Sequence, residues 1–302
     1  MRPSVSVILV SYRSREVLGP CLESLAGCAS RVPLEVIVVD NDSRDGTVEW
    51  LAQEHPEVRV VANPHNHGFA SAVNQGLAIA QGDDLLLLNP DSLVTADGLE
   101  RLRATLAKDL SCAVAAPMLL DDDGTPARSC GRFPDLWTLA CEHLWLSRLF
   151  PRAAWAAGYK YAGVPLESLD VVGWASGAAL LIPRRALRMV GGLDDGFFMY
   201  MEEVDWCRRA TAQGWCVRYV PSAVFTHTGQ HASRTSEGRT YLHNLRSRVR
   251  YFRKHHGTLA AFVAKGILGA SLVLKWLSTR FGARGAEASS VYVRGLEAVW
   301  AA

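Results

Sequence analysis

The sequence feature that most constrains the fold is a regular alternation of short apolar runs with helix-spaced segments between residues 4 and 116. The first run, residues 4–11 (SVSVILVS), is almost continuously apolar and predicts a buried parallel strand, and residues 14–25 carry apolar side chains at helical spacing. The same pattern predicts further strands at 34–39, 58–62, 85–88 and 112–116, and helices from about Gly46, over 68–80 and over 97–107. We therefore expect an α/β fold, Rossmann-like, with a mostly parallel sheet covered by helices on both faces.

The rhythm breaks at residues 118–170, which are rich in proline, glycine and large aromatic residues and predict an irregular insertion with short helices. A strand at 178–182, a helix after Pro183, a helix near 201–213 and a strand at 216–220 then complete the sheet domain. Two basic, apolar helices are expected from Arg239 onward. We accordingly predict one α/β domain over residues 1–237 and a C-terminal helical region over 238–302.

Composition excludes several classes of protein. The chain has 302 residues, 49% of them hydrophobic, which is enough for a large folded core and argues against disorder. Its seven cysteines lie at irregular spacings with no CxxC pair, so they fit neither a disulfide framework nor a zinc site. The N-terminal apolar run is too short and too β-branched for a signal peptide. These features predict a cytoplasmic protein.

The charge is unevenly distributed along the chain. Residues 238–286 contain ten Lys or Arg and no acid, so with a whole-chain net charge of +2 the remainder carries −8. Such asymmetry predicts a basic surface for an anionic partner: nucleic acid, phospholipid or a phosphorylated carrier. No groove-reading motif accompanies the basic residues, which disfavours nucleic acid.

Residues 257–277 form an apolar segment that Lys265 and Lys275 interrupt. No charge-free stretch approaches the roughly 20 residues that a transmembrane helix needs, so we expect that the segment does not span a membrane. Two readings remain equally open. The helices form an interfacial element that contacts anionic lipid at the inner face of the cell membrane, or they pack on the domain or in the interface of a homo-oligomer.

Ligands of open parallel sheets bind at the carboxyl ends of the strands, and polar residues follow three predicted strands there. They are Ser11-Tyr12, Asp40-Asn41-Asp42-Ser43 and Asn89-Pro90-Asp91. Asp83 and Asp84 precede their strand and should lie on the opposite rim. No dinucleotide fingerprint or P-loop is present, so a bound diphosphate would need a divalent cation held by a carboxylate such as Asp91. Considered alone, Asp91 also fits an ordinary Pro-Asp-Ser turn.

The densest polar cluster follows an aromatic run at residues 197–209. A helix start explains part of it, since acids favour the first turn and Asp205 pairs with Arg209 at i, i+4. It does not explain the adjacent Glu202 and Glu203, one of which must face the domain and could act as a general base. His227 follows the last predicted strand and could ligate a metal, although a lone histidine is more often structural.

Seven segments, taken in order, resemble the motifs of family 2 glycosyltransferases with a GT-A fold, and in particular of bacterial rhamnosyltransferase-like members. The similarity runs from residue 4 to about residue 256. The segments are VSVILVSYRS, VVDNDSRDGT, NHGFASAVNQG, LLLLNPDS, GWASGAALLIPR, GGLDDGFFMYMEEVDWCRRATAQGW and VFTHTG.

The resemblance implies a role for each matching residue. On the donor side, Ser11, Tyr12 and Asp40 would hold the nucleoside, Asn41, Ser43 and Asp45 would shape that loop, and Gly68, Asn74 and Asn89 would border the donor. Asp91 would be the principal metal ligand and His227 would complete the metal site, while Trp174 and Gly177 would line the acceptor side. Glu203 would be the catalytic base, with Glu202 as the alternative. Asn89 and Glu203 both depart from the family pattern, which has a carboxylate and an aspartate at these positions.

The implied activity is metal-dependent transfer of a sugar with inversion, using Mg²⁺ or Mn²⁺. The favoured donor is dTDP-L-rhamnose, and the favoured acceptor is a hydroxyl of a cell-surface glycan or a polyprenyl-diphosphate-linked precursor. One alternative is the same fold with a UDP-hexose or UDP-galactofuranose donor. The other is a catalytically silent module that binds a nucleotide sugar or lipid.

Overall fold

The computed structural model describes residues 4–150, 153–156, 160–161, 164–280 and 286–302. They form two compact units. The first comprises residues 1–131, 165–198 and 202–231, and the second comprises residues 132–164, 199–201 and 232–302. This division differs from a single cut at residue 237, because residues of the predicted insertion join the helical unit.

The first unit is built on a large β-sheet. The strands are β1 Val5–Ser11, β2 Leu34–Asp40, β3 Arg59–Ala62, β4 Asp84–Leu88, β5 Ser92–Leu93, β6 Cys112–Leu120, β7 Pro126–Ala127, β8 Cys130–Gly131, β9 Val171–Val172, β10 Trp174–Ala175, β11 Ala179–Pro183 and β12 Cys216–His227. Their order in the sheet is β3-β2-β1-β4-β11-β6-β12-β5, with β7 paired to β6 and β9 to β12. A separate two-stranded ladder joins β8 and β10.

The sheet is mixed. Its first half, β3-β2-β1-β4, is parallel as predicted, whereas β11 runs antiparallel to both β4 and β6. The antiparallel strand therefore brings its amino-terminal end, near Ala179, to the edge where the parallel strands have their carboxyl ends. β12 continues to His227 through a register shift between Val220 and Val224, so His227 ends the last strand and does not follow it.

Helices cover both sides of the sheet. The predicted helices after the first, second, third and fourth strands are all present, and so is the helix that begins at the acidic pair. Those of the first unit are α1 Arg15–Cys28, α2 Thr47–Glu54, α3 Phe69–Ile79, α4 Ala96–Lys108, α7 Arg184–Val190 and α8 Glu202–Ala212. Apolar faces of α1 and α4 pack on one side of the sheet, where Leu18, Leu102 and Leu86 are fully buried together. The α/β class is confirmed.

The second unit is helical. It contains α5 Leu136–His143, α6 Leu146–Leu149, α10 Ala286–Ala301 and all but the first two residues of α9 Gln230–Arg280. Two C-terminal helices were predicted and are present, but the first begins at Gln230, not at Arg239. Short helices occur in the predicted insertion, of which residues 151–152, 157–159 and 162–163 lie outside the described part.

Helix α9 is not regular throughout. Gly257 has φ +86°, a value far from the helical range, so the helical geometry is interrupted between a basic first half and an apolar second half. Helix α10 packs closely on both halves, because a Cβ at Gly295 would lie 3.0 Å from Leu272 Cδ2 and 3.3 Å from Leu245 Cδ1. By length and composition, residues Gly238–Thr279 could cross a membrane, with a mean hydropathy of 1.8 in the most apolar window.

Candidate active site

Strand ends bring most of the predicted site residues to one edge of the sheet. Ser11 and Asp40 are paired neighbours on β1 and β2, and the backbone N–H of Asn41 donates to Ser11 O at 2.8 Å. Asn89, directly after β4, donates its backbone N–H to Ala178 O at 3.0 Å, just before β11 begins. Asp84 starts β4 at its other end and pairs with Arg103, which confirms that the Asp83-Asp84 pair lies on the opposite rim.

A buried cluster of hydroxyl groups surrounds the end of β1. Ser11 Oγ lies 2.9 Å from Ser14 Oγ and 3.5 Å from Ser43 Oγ. The Ser43 backbone N–H donates to Asp40 Oδ1 at 3.1 Å, whereas Asp40 Oδ2 is buried and has no hydrogen-bond partner among the described residues. A buried carboxylate oxygen without a donor is costly, so Asp40 Oδ2 is positioned to receive a donor from a ligand. Tyr12 is half-buried beside this cluster.

Asn41 organises the neighbouring loop. Its side-chain amide donates to Asn66 Oδ1 and Gly68 O, and its Oδ1 accepts from the Asn63 side chain and the His67 backbone at 3.2 and 3.0 Å. The side chain is 2% exposed, so these four bonds use its polar atoms within the loop. Asp45 acts similarly on α2, where its Oδ1 accepts from both the backbone N–H and the hydroxyl of Thr47.

Gly68 and Asn74, predicted to border the donor, fasten other chain segments to α3. At Gly68 the backbone has φ +83° and ψ 170°, and a Cβ there would lie only 2.5 Å from Phe198 O. The backbone N–H of Phe69 donates to that same carbonyl at 2.6 Å. Asn74 Nδ2 donates to Leu193 O at 2.8 Å and its Oδ1 accepts from Leu193 N at 2.9 Å, so its amide is committed to the backbone.

Asp91 and His227 converge from different strands. His227 Nε2 lies 3.2 Å from Asp91 Oδ1 and 3.2 Å from Asn89 Nδ2. The contact follows from backbone pairing, because Ser92 of β5 lies opposite His227 and Thr228 N donates to Asp91 O at 3.1 Å. Asp91 is buried, with 7% of its surface exposed. In the described part of the chain, no group of three His, Cys, Asp or Glu side chains is arranged around one metal position.

The acidic pair begins α8. Glu202 is buried, and its pKa is raised well above 4.5 by burial first, and then by the charges of Glu203 and Asp205. Glu203 is half-buried and lies against Gly177, where a Cβ would be 3.8 Å from Glu203 Cβ. Asp205 pairs with Arg209 at 2.9 Å as the helix-start interpretation predicted.

The helix start is preceded by two non-glycine residues in an unusual conformation, since Tyr200 and Met201 have φ of 68° and 70°. Such residues are costly to hold and concentrate at functional sites. On the predicted acceptor side, Trp174 is buried on β10, where it pairs with Gly131 of β8. Gly177 also faces Phe69, at 3.8 Å from Cε1.

Comparison with known proteins decides the family. Residues 6–163 match the family described as "Glycosyl transferase family 2", which is more than half of the chain. The chain belongs to glycosyltransferase family 2.

Two relatives of this glycosyltransferase are named rhamnosyltransferases. The N-acetylglucosaminyl-diphospho-decaprenol L-rhamnosyltransferase of Mycobacterium tuberculosis is 31% identical over 244 residues, covering 77% of this chain and 78% of that protein. The rhamnosyltransferase WbbL of Escherichia coli is 26% identical over 259 residues, covering 82% of this chain and 92% of the Escherichia coli protein.

Solved structures establish the fold of the glycosyltransferase as GT-A. A mannosyltransferase from Pyrobaculum calidifontis, in complex with GDP-mannose and Mn²⁺, matches with a TM-score of 0.59 at 17% identity, covering 98% of this chain and 80% of that one. The structure of GalNAc-T7 with UDP, GalNAc and Mn²⁺ matches with a TM-score of 0.57 at 15% identity, covering 99% of this chain and 56% of that one.

Sequence reasoning missed several residues that build this edge of the glycosyltransferase. Ser14 completes the hydroxyl cluster, Asn63 and Asn66 bond to Asn41, and Phe198 supplies the carbonyl that meets Gly68. The density of asparagine, histidine and glycine at residues 63–68 signals a structured polar loop. Nothing in the sequence signals the contact between Phe198 and Gly68, which are far apart along the chain.

Proposed function

We propose that this glycosyltransferase transfers L-rhamnose from dTDP-L-rhamnose, with inversion, to a hydroxyl of a lipid-diphosphate-linked glycan at the cytoplasmic face of the membrane. One chain of contacts supports this most directly. Glu203 lies against Gly177. Ala178, which follows Gly177, accepts a backbone hydrogen bond from Asn89. The Asn89 side chain contacts His227, which in turn contacts Asp91. A candidate base and two candidate metal ligands are thus connected at one sheet edge. The donor sugar follows the names of the two rhamnosyltransferases, and the lipid-diphosphate acceptor follows the name of the Mycobacterium tuberculosis protein.

The donor nucleoside would occupy the end of β1 and β2. Asp40 Oδ2 is available there to accept a hydrogen bond from a base N–H or a ribose hydroxyl. Ser11 and Ser43 present further hydroxyl groups beside it. Asn41 and Asn74 contribute indirectly in this proposal, because their amides hold the surrounding backbone.

The donor set of Asp91 and His227 fits Mg²⁺ or Mn²⁺. His227 Nε2 and Asp91 Oδ1 lie 3.2 Å apart, so both side chains would hold one divalent cation. Two protein ligands suffice where the substrate's phosphate oxygens and water complete the coordination. When bound, the cation would neutralise the negative charge that develops on the departing diphosphate.

The protein's own contribution to the chemistry is positioning and proton transfer. Glu203 takes the proton of the acceptor hydroxyl, whose oxygen forms a bond to the anomeric carbon as the bond from that carbon to the diphosphate oxygen breaks. Its neighbour Glu202 is buried, and burial raises the pKa of Glu202, so that carboxyl group retains its proton more readily than an exposed glutamate does. Attack opposite to the leaving group inverts the configuration.

The test measures nucleotide release from dTDP-L-rhamnose and from a panel of UDP-hexoses and UDP-galactofuranose, with Mg²⁺ or Mn²⁺ and a lipid-diphosphate glycan acceptor. Glu203→Gln and Asp91→Ala should each abolish turnover, whereas Asp83→Ala, on the opposite rim, should retain it. Glu202→Gln tests which glutamate is the base. Preferred turnover of a UDP-sugar would replace the donor in the proposal.

A catalytically silent role predicts a different result in the same experiment. The wild-type protein would then bind nucleotide, measurable by calorimetry, without turning over any donor. If the wild-type protein turns over a donor and both Glu203→Gln and Asp91→Ala remain fully active, the site assignment is refuted.

A further inference from the structure

The second half of α9 exposes an unbroken apolar stripe. Leu259 is 77% exposed and Phe262 is 61% exposed, although both are large hydrophobic side chains. The exposed positions recur at helical spacing and lie on one face, while Ala264, Leu268 and Leu272 on the other face are buried. The stripe consists of Leu259, Phe262, Val263, Gly266, Ala270, Val273, Leu274 and Leu277. At 1.5 Å per residue it is about 27 Å long.

The two lysines that interrupt this segment in the sequence do not lie on the stripe. Lys265 Nζ donates to Trp300 O at 3.2 Å, on α10. Lys275 Nζ donates to Tyr241 Oη at 3.3 Å, on the first half of α9. Because the ammonium group of Lys265 turns toward α10 and that of Lys275 turns toward the first half of α9, the stripe contains no charged residue.

Exposed basic residues precede the stripe. Arg246, Arg250, Arg253 and Lys254 are all exposed on the first half of α9, and residues 238–286 contain no acid. Trp300 adds an exposed aromatic ring next to the stripe, with its centroid 6.0 Å from that of Phe262. Tryptophan with an apolar ring and a polar N–H is the residue type that favours the boundary of a bilayer.

We propose that the apolar stripe and these four basic residues dock the protein onto an anionic lipid bilayer, with α9 lying in the interface and not crossing it. The charge of the surface selects this occupant. A second copy of this chain offers no acidic residue within residues 238–286 to pair with them, whereas acidic lipid headgroups neutralise them. An interfacial helix buries an apolar face and leaves its polar side to water and headgroups, as the inward-turned lysines permit here. The inference does not depend on which sugar the enzyme transfers.

The test is sedimentation of the full-length protein with sucrose-loaded vesicles, in the absence of nucleotide. Vesicles of phosphatidylcholine mixed with phosphatidylglycerol should bind the protein well, and pure phosphatidylcholine should bind it weakly. Arg246→Gln with Arg250→Gln should weaken binding to the anionic vesicles about thirtyfold, since each basic residue contributes a factor of about five. Arg101→Gln with Arg188→Gln, two exposed arginines of the first unit, should have no effect.

The apolar component is tested in the same way. Leu259→Gln with Phe262→Gln should weaken binding at least about tenfold, given the apolar area that each side chain would bury. The matched control replaces two exposed apolar residues of the first unit, Leu110→Gln with Met189→Gln, and should bind like the wild type. Circular dichroism verifies that every variant is folded.

Three outcomes would overturn the proposal. The first is equal vesicle binding by wild type and both sets of α9 variants. The second is a stripe variant that loses self-association in sedimentation equilibrium without losing vesicle binding, which would assign the stripe to a second copy of the chain. The third is resistance of vesicle-bound protein to alkaline carbonate extraction, which would identify a spanning helix.

Discussion

Replacing Gly68 with alanine should destabilise the protein more than the same change at Gly191, a glycine with a similar backbone conformation. Gly68 adopts φ +83° and ψ 170°, a region that is almost restricted to glycine. The added Cβ would also lie 2.5 Å from Phe198 O and 2.8 Å from Phe198 Cδ2. The first of these atoms is backbone and accepts the Phe69 N–H, so it cannot move without weakening that hydrogen bond.

The magnitude follows from two separable costs. Holding a non-glycine residue in this backbone region costs about 2 kcal/mol. Displacing the Phe198 backbone and ring adds about 2 kcal/mol of overpacking. Gly191 provides the matched control because it has nearly the same backbone conformation, φ +84° and ψ −177°, but nothing within 4 Å of its Cβ position. We expect Gly191→Ala to carry the first cost alone.

Urea unfolding monitored by circular dichroism measures the free energy of unfolding of both variants. Gly68→Ala should lose about 4 kcal/mol and Gly191→Ala about 2 kcal/mol. Equal losses would show that the Phe198 contact has no energetic weight and would refute the reasoning. Because Phe198 lies four residues before Glu202, Gly68→Ala should also lower kcat in the nucleotide-release assay.

Three further predictions concern named side chains. The raised pKa of Glu202 means that the folded state binds its proton more tightly than the unfolded state, so stability falls as pH rises from about 4.5 through the raised pKa. Glu202→Gln should remove that part of the slope in urea unfolding at several pH values, and an unchanged slope would contradict the prediction. Asn74→Ala should cost about 2 kcal/mol of unfolding free energy by leaving Leu193 N and O without partners, while Asn74→Asp should retain the bond from Leu193 N. Burial, reinforced by the charge of Asp91, raises the pKa of Cys21 to about 12, so iodoacetamide should alkylate half-exposed Cys216 well before Cys21 in the folded protein, as peptide mass spectrometry would show.

The sequence predicted which edge of the sheet carries the candidate site residues, because parallel strands all have their carboxyl ends at the same edge. Ser11, Asp40 and Asn89 follow three continuous apolar runs, and such runs have their carboxyl ends at one edge regardless of side-chain detail. The same argument placed Asp84 on the opposite rim. His227 was already a candidate ligand from its place after a predicted strand, and the family resemblance then assigned it to the metal site. Its contact with Asp91 depends on a strand pairing that spacing alone does not indicate.

Other features depend on tertiary contacts. An amide side chain such as that of Asn74 can bond to a ligand or to backbone, and only the fold decides which. The final strand was predicted to end at residue 220, yet β12 continues through a register shift past Pro221 and Ser222 to His227. Likewise, the sequence shows that Lys265 and Lys275 interrupt an apolar segment but not which way they turn.

The paired left-handed residues before α8 have a consequence for how this enzyme can change by selection. Tyr200 and Met201 together hold roughly 2–6 kcal/mol of backbone strain, and glycine in place of half-buried Tyr200 would relieve about half of it. Glycine in place of buried Met201 would relieve its share only by giving up the packing of that side chain. A screen that rewards heat resistance alone would therefore favour glycine at residue 200. The same glycine would loosen the turn that sets where Glu202 and Glu203 begin their helix, so thermal robustness and catalytic turnover should compete at that codon.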